Sequence, residues 1–245
     1  MHSCDDGHLA LVATPIGNLE DITYRAVRIL KEADLIAAED TRRAQKLLSY
    51  YHVHCPVTSY HMHNEHRKTE KLLEKVRSGM KVVMLSDAGT PCISDPGYLL
   101  VREAIAAGIE PVVVPGVSAL THAAVAAGLP VSDFRFIGFL PRKEGRRRVL
   151  LRQIGEQQKT VILFESPARI ARLLREITEE IGAGTQVVVV REATKRFEEC
   201  LRGTAGEMVA AHGDRKWKGE LTVVIQTPGS ARARIPASDD SSGTQ

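Results

Sequence analysis

The stretch VVMLSDAGTPCISDPG, residues 82–97, runs an apolar segment straight into two turns, Ser86-Asp87-Ala88-Gly89-Thr90-Pro91 and Asp95-Pro96-Gly97. An apolar run without polar alternation is the pattern of a strand buried on both faces, as in a parallel sheet covered by helices. Its abrupt end in Asp, Gly and Pro predicts a loop at the strand's carboxyl end. Seven other runs repeat the pattern: LALVAT (9–14), DLIAAED (34–40), EPVVVPG (110–116), RFIGFLP (135–141), TVILFES (160–166), QVVVVRE (186–192) and ELTVVIQ (220–226). Helical spacing fills the gaps. Ile22, Ala26, Ile29 and Leu30 share one face, as do Ile170, Leu173, Leu174 and Ile177. Strands alternating with helices predict an α/β architecture with parallel or mixed sheets.

The chain has 245 residues, 43% of them hydrophobic, enough for one large or two modest domains. A helix of small residues ends in Gly128 and Pro130 within AAGLPVSD (126–133), which predicts a seam there. The expected organisation is an N-terminal α/β domain over 1–130, a C-terminal α/β domain over 131–228 and a disordered tail over 229–245, where Ser, Asp, Gly and Pro dominate. No apolar run reaches the roughly 20 residues of a membrane span, and the polar start, Met1 to His8, does not resemble a signal peptide; a cytoplasmic protein without membrane association is expected. Cys4, Cys55, Cys92 and Cys200 are too scattered to predict disulfides or a zinc knuckle.

In open α/β sheets ligands bind beyond the carboxyl ends of the strands. There the sequence places Thr14-Pro15-Ile16-Gly17-Asn18, Glu39-Asp40-Thr41-Arg42, Ser86-Asp87-Ala88-Gly89-Thr90, Pro115-Gly116-Val117-Ser118, Glu165-Ser166-Pro167 and Arg191-Glu192. Any one of these reads as an ordinary turn or cap, Ser118 being a good N-cap. Six together carry more carboxylates than turns require. Neither GxxxxGK[ST] nor a GxGxxG that follows a strand is present, so a polyphosphate ligand fits badly. Backbone turns beside Asp87 and Glu165 suit a ligand with hydroxyls and positive charge, such as an amino-acid-bearing nucleoside with a sulfonium.

Two further clusters stand out in the sequence. His52, His54, Cys55, His61 and His63 match no common zinc spacing; alternation on a short strand is the simpler account, no metal is expected, and His61-Met62-His63-Asn64-Glu65 is retained as a substrate-contacting loop. Arg142, Lys143, Arg146, Arg147, Arg148 and Arg152 fall within eleven residues, and Arg215, Lys216 and Lys218 flank Trp217. Such runs form either a solvated face or a surface for phosphates.

The strings TPIGNLEDITYRAVRILKEADLIAAEDTRR (14–43), SDAGTPCISDPG (86–97), VVVPGVSA (112–119), GFLPRK (138–143), FES (164–166) and KGE (218–220) resemble, in order, those of the ribosomal RNA small subunit methyltransferase I family, of the tetrapyrrole methylase (class III methyltransferase) type. The resemblance covers residues 9–226. It implies two α/β domains with S-adenosyl-L-methionine held in a cleft between them, and usually a homodimer. It implies methyl transfer to the ribose 2′-oxygen of a cytidine in the decoding region of 16S rRNA, cytidine 1402 in the family. Carried over by motif, the cofactor residues are Pro15, Asp87, Gly89, Thr90, Ser118, Ala119, Phe164, Glu165 and Gly219. Members often continue past the KGE strand into a small helical domain; here only a short tail follows Gln226, so RNA contacts of that domain are expected to be absent or supplied by a partner subunit.

A ribose hydroxyl must lose its proton during or after attack on the methyl carbon, so a nearby base helps. Glu39, Asp40 and Glu192 end strands on the expected ligand side, and Arg42 has the fork to hold an RNA phosphate; a local Asp40–Arg42 ion pair is the structural alternative. Arg142, Lys143, Arg146, Arg147 and Arg148 are the expected rRNA-backbone contacts, the small ribosomal subunit being the partner. For Asp95, helix capping and ligand contact stand side by side. The competing readings are a same-fold enzyme acting on a tetrapyrrole or protein residue, and an RNA-binding module that has lost catalysis.

Overall fold

The computed structural model describes residues 7–227, which fall into two compact units. Residues up to His122, together with Glu192–Glu198, form the first. It contains β1 (Leu9–Val12), α1 (Tyr24–Glu32), β2 (Leu35–Ala38), α2 (Thr41–Tyr50), β3 (Val57–Ser59), α3 (Glu65–Arg77), β4 (Val82–Leu85), α4 (Tyr98–Ala106) and β5 (Val112–Val114), and α5 (Ala119–Ala127) spans the division. The seam predicted at 126–133 lies a few residues further along the chain. The tail predicted over 229–245 lies outside the described residues.

The first sheet is wholly parallel, in the order β3-β2-β4-β1-β5. Its unalternating apolar strands are explained by two core layers. Val12, Val83, Leu85, Ile36 and Ala38 face α1 and α2, whereas Leu9, Ala37, Val82 and Met84 face α3 and α4. Helix starts are fixed locally: Thr23 accepts a hydrogen bond from the Ala26 N–H, and Asp40 from the Arg42 N–H. Register sets the rim. Ala38 pairs with Leu85, so Glu39-Asp40 and Ser86-Asp87 emerge side by side at the carboxyl ends of neighbouring strands.

The second unit, Ala123–Arg191 and the chain from Glu199, contains β6 (Phe134–Phe139), α6 (Glu144–Gly155), β7 (Thr160–Glu165), α7 (Ile170–Glu180), β8 (Gln186–Arg191), β9 (Glu199–Thr204), α8 (Ala205–His212) and β10 (Leu221–Gln226). Its sheet is mixed, in the order β6-β7-β10-β8-β9, with only β6 and β7 parallel. Ile170, Leu173, Leu174 and Ile177 of α7 are all buried in the core with Leu151, Ile154 and Trp217. The sequence reading missed two strands, β3 and β9. Both are edge strands with half-exposed residues, ECLRGT lacking any apolar run, so neither bears the signature of double burial. The histidines and cysteine at 52–55 precede β3 and lie in turn and coil, which corrects the short-strand account of them.

Candidate functional site

The loops after β1 and β4 are joined directly. Thr14 and Gly89 exchange both backbone hydrogen bonds at 2.9 Å, the Thr14 hydroxyl donates to the Ser86 carbonyl at 3.2 Å, and the Ser86 hydroxyl donates to the Gly89 carbonyl at 3.1 Å. Gly89 has φ +83°, and an added Cβ there would stand 3.3 Å from the Ile16 side chain, so a larger residue would be strained twice over. Further along, Cys92 and Ser94 adopt left-handed backbone conformations at φ 71° and 65° without being glycine. Such strain persists only where surrounding structure fixes it, and it concentrates at functional loops.

Four carboxylates gather at this end of the sheet. Asp87 accepts the Asp40 backbone N–H at 2.9 Å and stands 3.5 Å from the Arg43 guanidinium, tying β4 to the start of α2. Glu39 is pushed above the usual carboxylate range by burial, then by the charges of Asp95 and Asp87. Asp95 is raised to about 6, chiefly by burial, with the Asp87 charge adding to the shift and a hydrogen bond with Ser86 opposing it. Capping of α4 does not explain Asp95, because the N-cap is Gly97 and no side chain bonds there. At Gly97, φ +131°, a Cβ would meet Met84 Cε and Cys92 Sγ at 2.8 Å, so the turn carrying Asp95 closes tightly on β4.

Asp40 and Arg42 form the local pair. Asp40 caps α2, and its carboxylate receives the Arg42 side chain at 3.1 and 2.8 Å, which holds Asp40 well below the usual carboxylate range. The local Asp40–Arg42 ion pair is therefore formed, with the Arg42 side chain 84% exposed in it. Glu192 has left-handed backbone, φ 52°, and its carboxylate meets the Lys195 ammonium at 2.9 Å. The loop it opens, Glu192–Glu198, packs on the first unit. Thr194 Oγ1 accepts the Asn18 N–H at 3.1 Å, and a Cβ at Gly17 would stand 2.4 Å from Lys195. Sequence reasoning named Glu192 but missed Thr194, which sits 176 residues from its partner Asn18, and its neighbour Lys195. Ser118 contributes its carbonyl to the His122 N–H at the start of α5, immediately before Ala119. The loop at His61 is organised internally, Asn64 Oδ1 accepting the His61 N–H at 2.9 Å. Among the described residues, no group of three or more His, Cys, Asp or Glu is arranged to hold a metal ion.

In the second unit, Phe164 meets the rings of Phe136 and Phe139 at 5.0 and 5.8 Å. The Glu165 side chain is fully buried; Oε1 takes the Ser166 N–H at 2.6 Å and Arg169 at 2.7 Å, while Oε2 has no partner. A buried carboxylate oxygen left unbonded is costly unless a ligand donates to it. Gly219, φ +86°, lies in the loop before β10. The basic run divides. Arg142, Lys143 and Arg146 are exposed. Arg147 is not an RNA contact: it is 3% exposed, with its guanidinium on Glu176 at 2.5 and 2.6 Å and on the carbonyls of Pro141 and Arg142. Arg148 is likewise spent, on Glu144, Glu179 and Glu180 at 3.0, 2.7 and 2.7 Å. Arg215 pairs with Glu199 and lies 4.6 Å over the Trp217 ring, so that cluster is structural at its first position.

The parallel sheet with its carboxyl-end loops, followed by a mixed sheet, is the architecture of the tetrapyrrole (corrin/porphyrin) methylases, whose family model matches residues 8–209. Solved structures of a cobalt precorrin-4 methyltransferase (TM-score 0.64, 21% identity, 89% of this chain and 94% of that one) and of a Thermus thermophilus uroporphyrin-III C-methyltransferase complexed with S-adenyl homocysteine (TM-score 0.62, 23% identity, 89% and 97%) share the fold. Sequence relatives are nearer. Ribosomal RNA small subunit methyltransferase I of Halalkalibacterium halodurans is 45% identical over 225 residues, 92% of this chain and 78% of the relative. The Thermotoga maritima protein of the same name is 47% identical over 219 residues, 89% of this chain and 98% of the relative. The chain belongs to the tetrapyrrole methylase family and, within it, to the ribosomal RNA small subunit methyltransferase I group.

Proposed function

We propose that this protein is an S-adenosyl-L-methionine-dependent methyltransferase that modifies small-subunit rRNA, at the ribose 2′-oxygen of a cytidine in the decoding region. Membership of the rRNA methyltransferase group across nearly the whole described chain carries the reading. The residues fit the cofactor. Burial and the charges of Asp95 and Asp87 raise the proton affinity of Glu39, burial and the charge of Asp87 raise that of Asp95, and no lysine-bearing phosphate cradle accompanies them. A cationic ligand relieves that repulsion, whereas a phosphate would add to it.

Bound S-adenosyl-L-methionine supplies an already activated methyl group, so the protein's work is alignment and removal of a proton. Pro15, Asp87, Gly89, Thr90, Ser118 and Ala119 are the first unit's proposed cofactor contacts, the loops that carry the first four being joined by the Thr14–Gly89 exchange. Of the proposed bases, Glu39 is the best placed: Asp40 is held ionised by Arg42, whereas the raised proton affinity of Glu39 suits it to accept the 2′-hydroxyl proton. In the second unit, Oε2 of Glu165 is a buried acceptor suited to a ligand hydroxyl or amine.

No helix among the described residues is long and apolar enough to cross a membrane. We infer a cytoplasmic location, where small ribosomal subunits are found, and a homodimer, as the family resemblance implies. The test is incubation with labelled S-adenosylmethionine and, separately, unmethylated small subunits, naked 16S rRNA and a tetrapyrrole precursor, with products mapped by mass spectrometry. Label on a cytidine ribose is expected. Label confined to the tetrapyrrole would overturn the reading, and sedimentation as a monomer would remove the dimer.

A further inference from the structure

Three cavities in the first unit adjoin through shared residues. One of about 250 Å³ is lined by Thr14, Pro15, Ser86, Asp87, Arg43 and Lys46, and so belongs to the site described above. The next, about 580 Å³, shares Lys46 and adds Arg42, Gln45, Ser49 and Tyr50. The third, about 640 Å³, shares Tyr50 and adds Tyr51 and, from α1, Tyr24, Arg28 and Lys31. The sequence builds this track from two outward helix faces. On α2, Arg42, Gln45, Lys46 and Ser49 lie opposite the buried Ala44, Leu47 and Leu48; on α1, Tyr24, Arg28 and Lys31 lie opposite Ala26, Ile29 and Leu30.

Two features set the track apart from an ordinary helix surface. Of the chain's five tyrosines, three lie here, and Tyr24 and Tyr50 are 98% and 57% exposed, contributing nothing to a core. Tyr51 is fixed through its hydroxyl to the Leu19 carbonyl and meets Tyr50 edge-on at 4.9 Å, holding a rigid aromatic step in place. Charge is graded along the path. On α2, Arg42 and Arg43 are paired with Asp40 and Asp87, whereas Lys46 makes no ion pair within 4.0 Å among the described residues. In the third cavity Glu20 and Glu32 balance Arg28 and Lys31, Arg28 pairing with Glu32 at 3.2 Å, so its rings rather than its charges face a ligand.

A cation at the mouth of the site followed by exposed rings matches what a single nucleic acid strand requires: charge for the backbone and faces on which unpaired bases stack. We propose that this track holds a single-stranded RNA segment flanking the target nucleotide, with Lys46 on its backbone and Tyr50 and Tyr24 under its bases. The inference rests on the rRNA methyltransferase reading and adds a surface to the exposed Arg142, Lys143 and Arg146, which remain once Arg147 and Arg148 are removed from it.

The test measures binding of a fluorescent single-stranded oligoribonucleotide from the decoding region, and methyl transfer to small subunits, by wild type, Tyr24→Ala/Tyr50→Ala and Lys46→Ala. Loss of a stacked base corresponds to about tenfold in affinity, so the double variant should bind on the order of 100-fold more weakly. Its melting temperature and S-adenosylmethionine affinity should not change. Lys46→Ala should lower the salt dependence of binding by about 0.7 in log–log slope. RNA affinity within twofold of wild type in the double variant overturns the track. So does a switch from dimer to monomer with RNA affinity intact, which assigns the face to a second copy. Weakened RNA binding by the double variant, in a protein whose wild type methylates no rRNA, would sustain the track and overturn the functional reading instead.

Discussion

Asp95 has a proton affinity set by burial and by Asp87, with an apparent pKa of about 6 against an ordinary 3.8. A carboxyl group raised in the folded state stabilises the fold while protonated. That contribution is complete below about pH 4 and is lost as pH rises through about 6. Thermal melting of the wild type should therefore fall, relative to Asp95→Asn, between these values; parallel profiles would remove Asp95 from the cluster. Bound cofactor should reverse the effect, because a sulfonium favours the ionised carboxylates. S-adenosylmethionine affinity should weaken as pH drops below about 6, and S-adenosylhomocysteine, whose sulfur is neutral, should show a flatter profile by calorimetry. Equal profiles for the two ligands would place the sulfonium elsewhere. Asp87 stands out in the sequence as a candidate because it follows an unalternating strand. The inward turn of Asp95 does not, since capping and ligand contact use the same short acidic side chain.

Among the elements, α6 shows how little a charge run says by itself. Glu144-Gly145-Arg146-Arg147-Arg148 reads as one basic patch, yet consecutive helical residues are turned about 100° apart, so Arg147 points into the core and Arg146 to solvent. Burying Arg147 is tolerated because Glu176 of α7 meets it with two hydrogen bonds and the Pro141 and Arg142 carbonyls take the remainder. Removing one partner leaves the other charge buried and unpaired. Arg147→Ala should cost about 3–5 kcal/mol in urea unfolding. Arg142→Glu/Lys143→Glu/Arg146→Glu should leave the unfolding midpoint within error of wild type and weaken rRNA binding. The reverse pattern would show that the exposed arginines are structural and Arg147 functional.

Across the whole molecule, 33 basic and 30 acidic residues leave a formal charge of +3, so RNA attraction must come from local placement rather than a net field. With Lys46, Arg142, Lys143 and Arg146 as the expected phosphate contacts, the log–log salt slope for single-stranded RNA should be about −3. A slope near −10 in a salt titration of binding would mean a far larger basic surface than these residues provide. By itself the sequence determined the doubly covered parallel strands, the helices between them and the loops at their carboxyl ends, because side-chain period and turn chemistry act over a few residues. Edge strands β3 and β9 lacked that local signature. Only the tertiary structure decided which polar groups are engaged and which are free, since burial and pairing are set by partners distant in sequence: Arg147 by Glu176, 29 residues on, and the Asn18 N–H by Thr194, 176 residues on. The Asp40–Arg42 pair is local, two residues apart, and forms because the start of α2 brings the two side chains into contact.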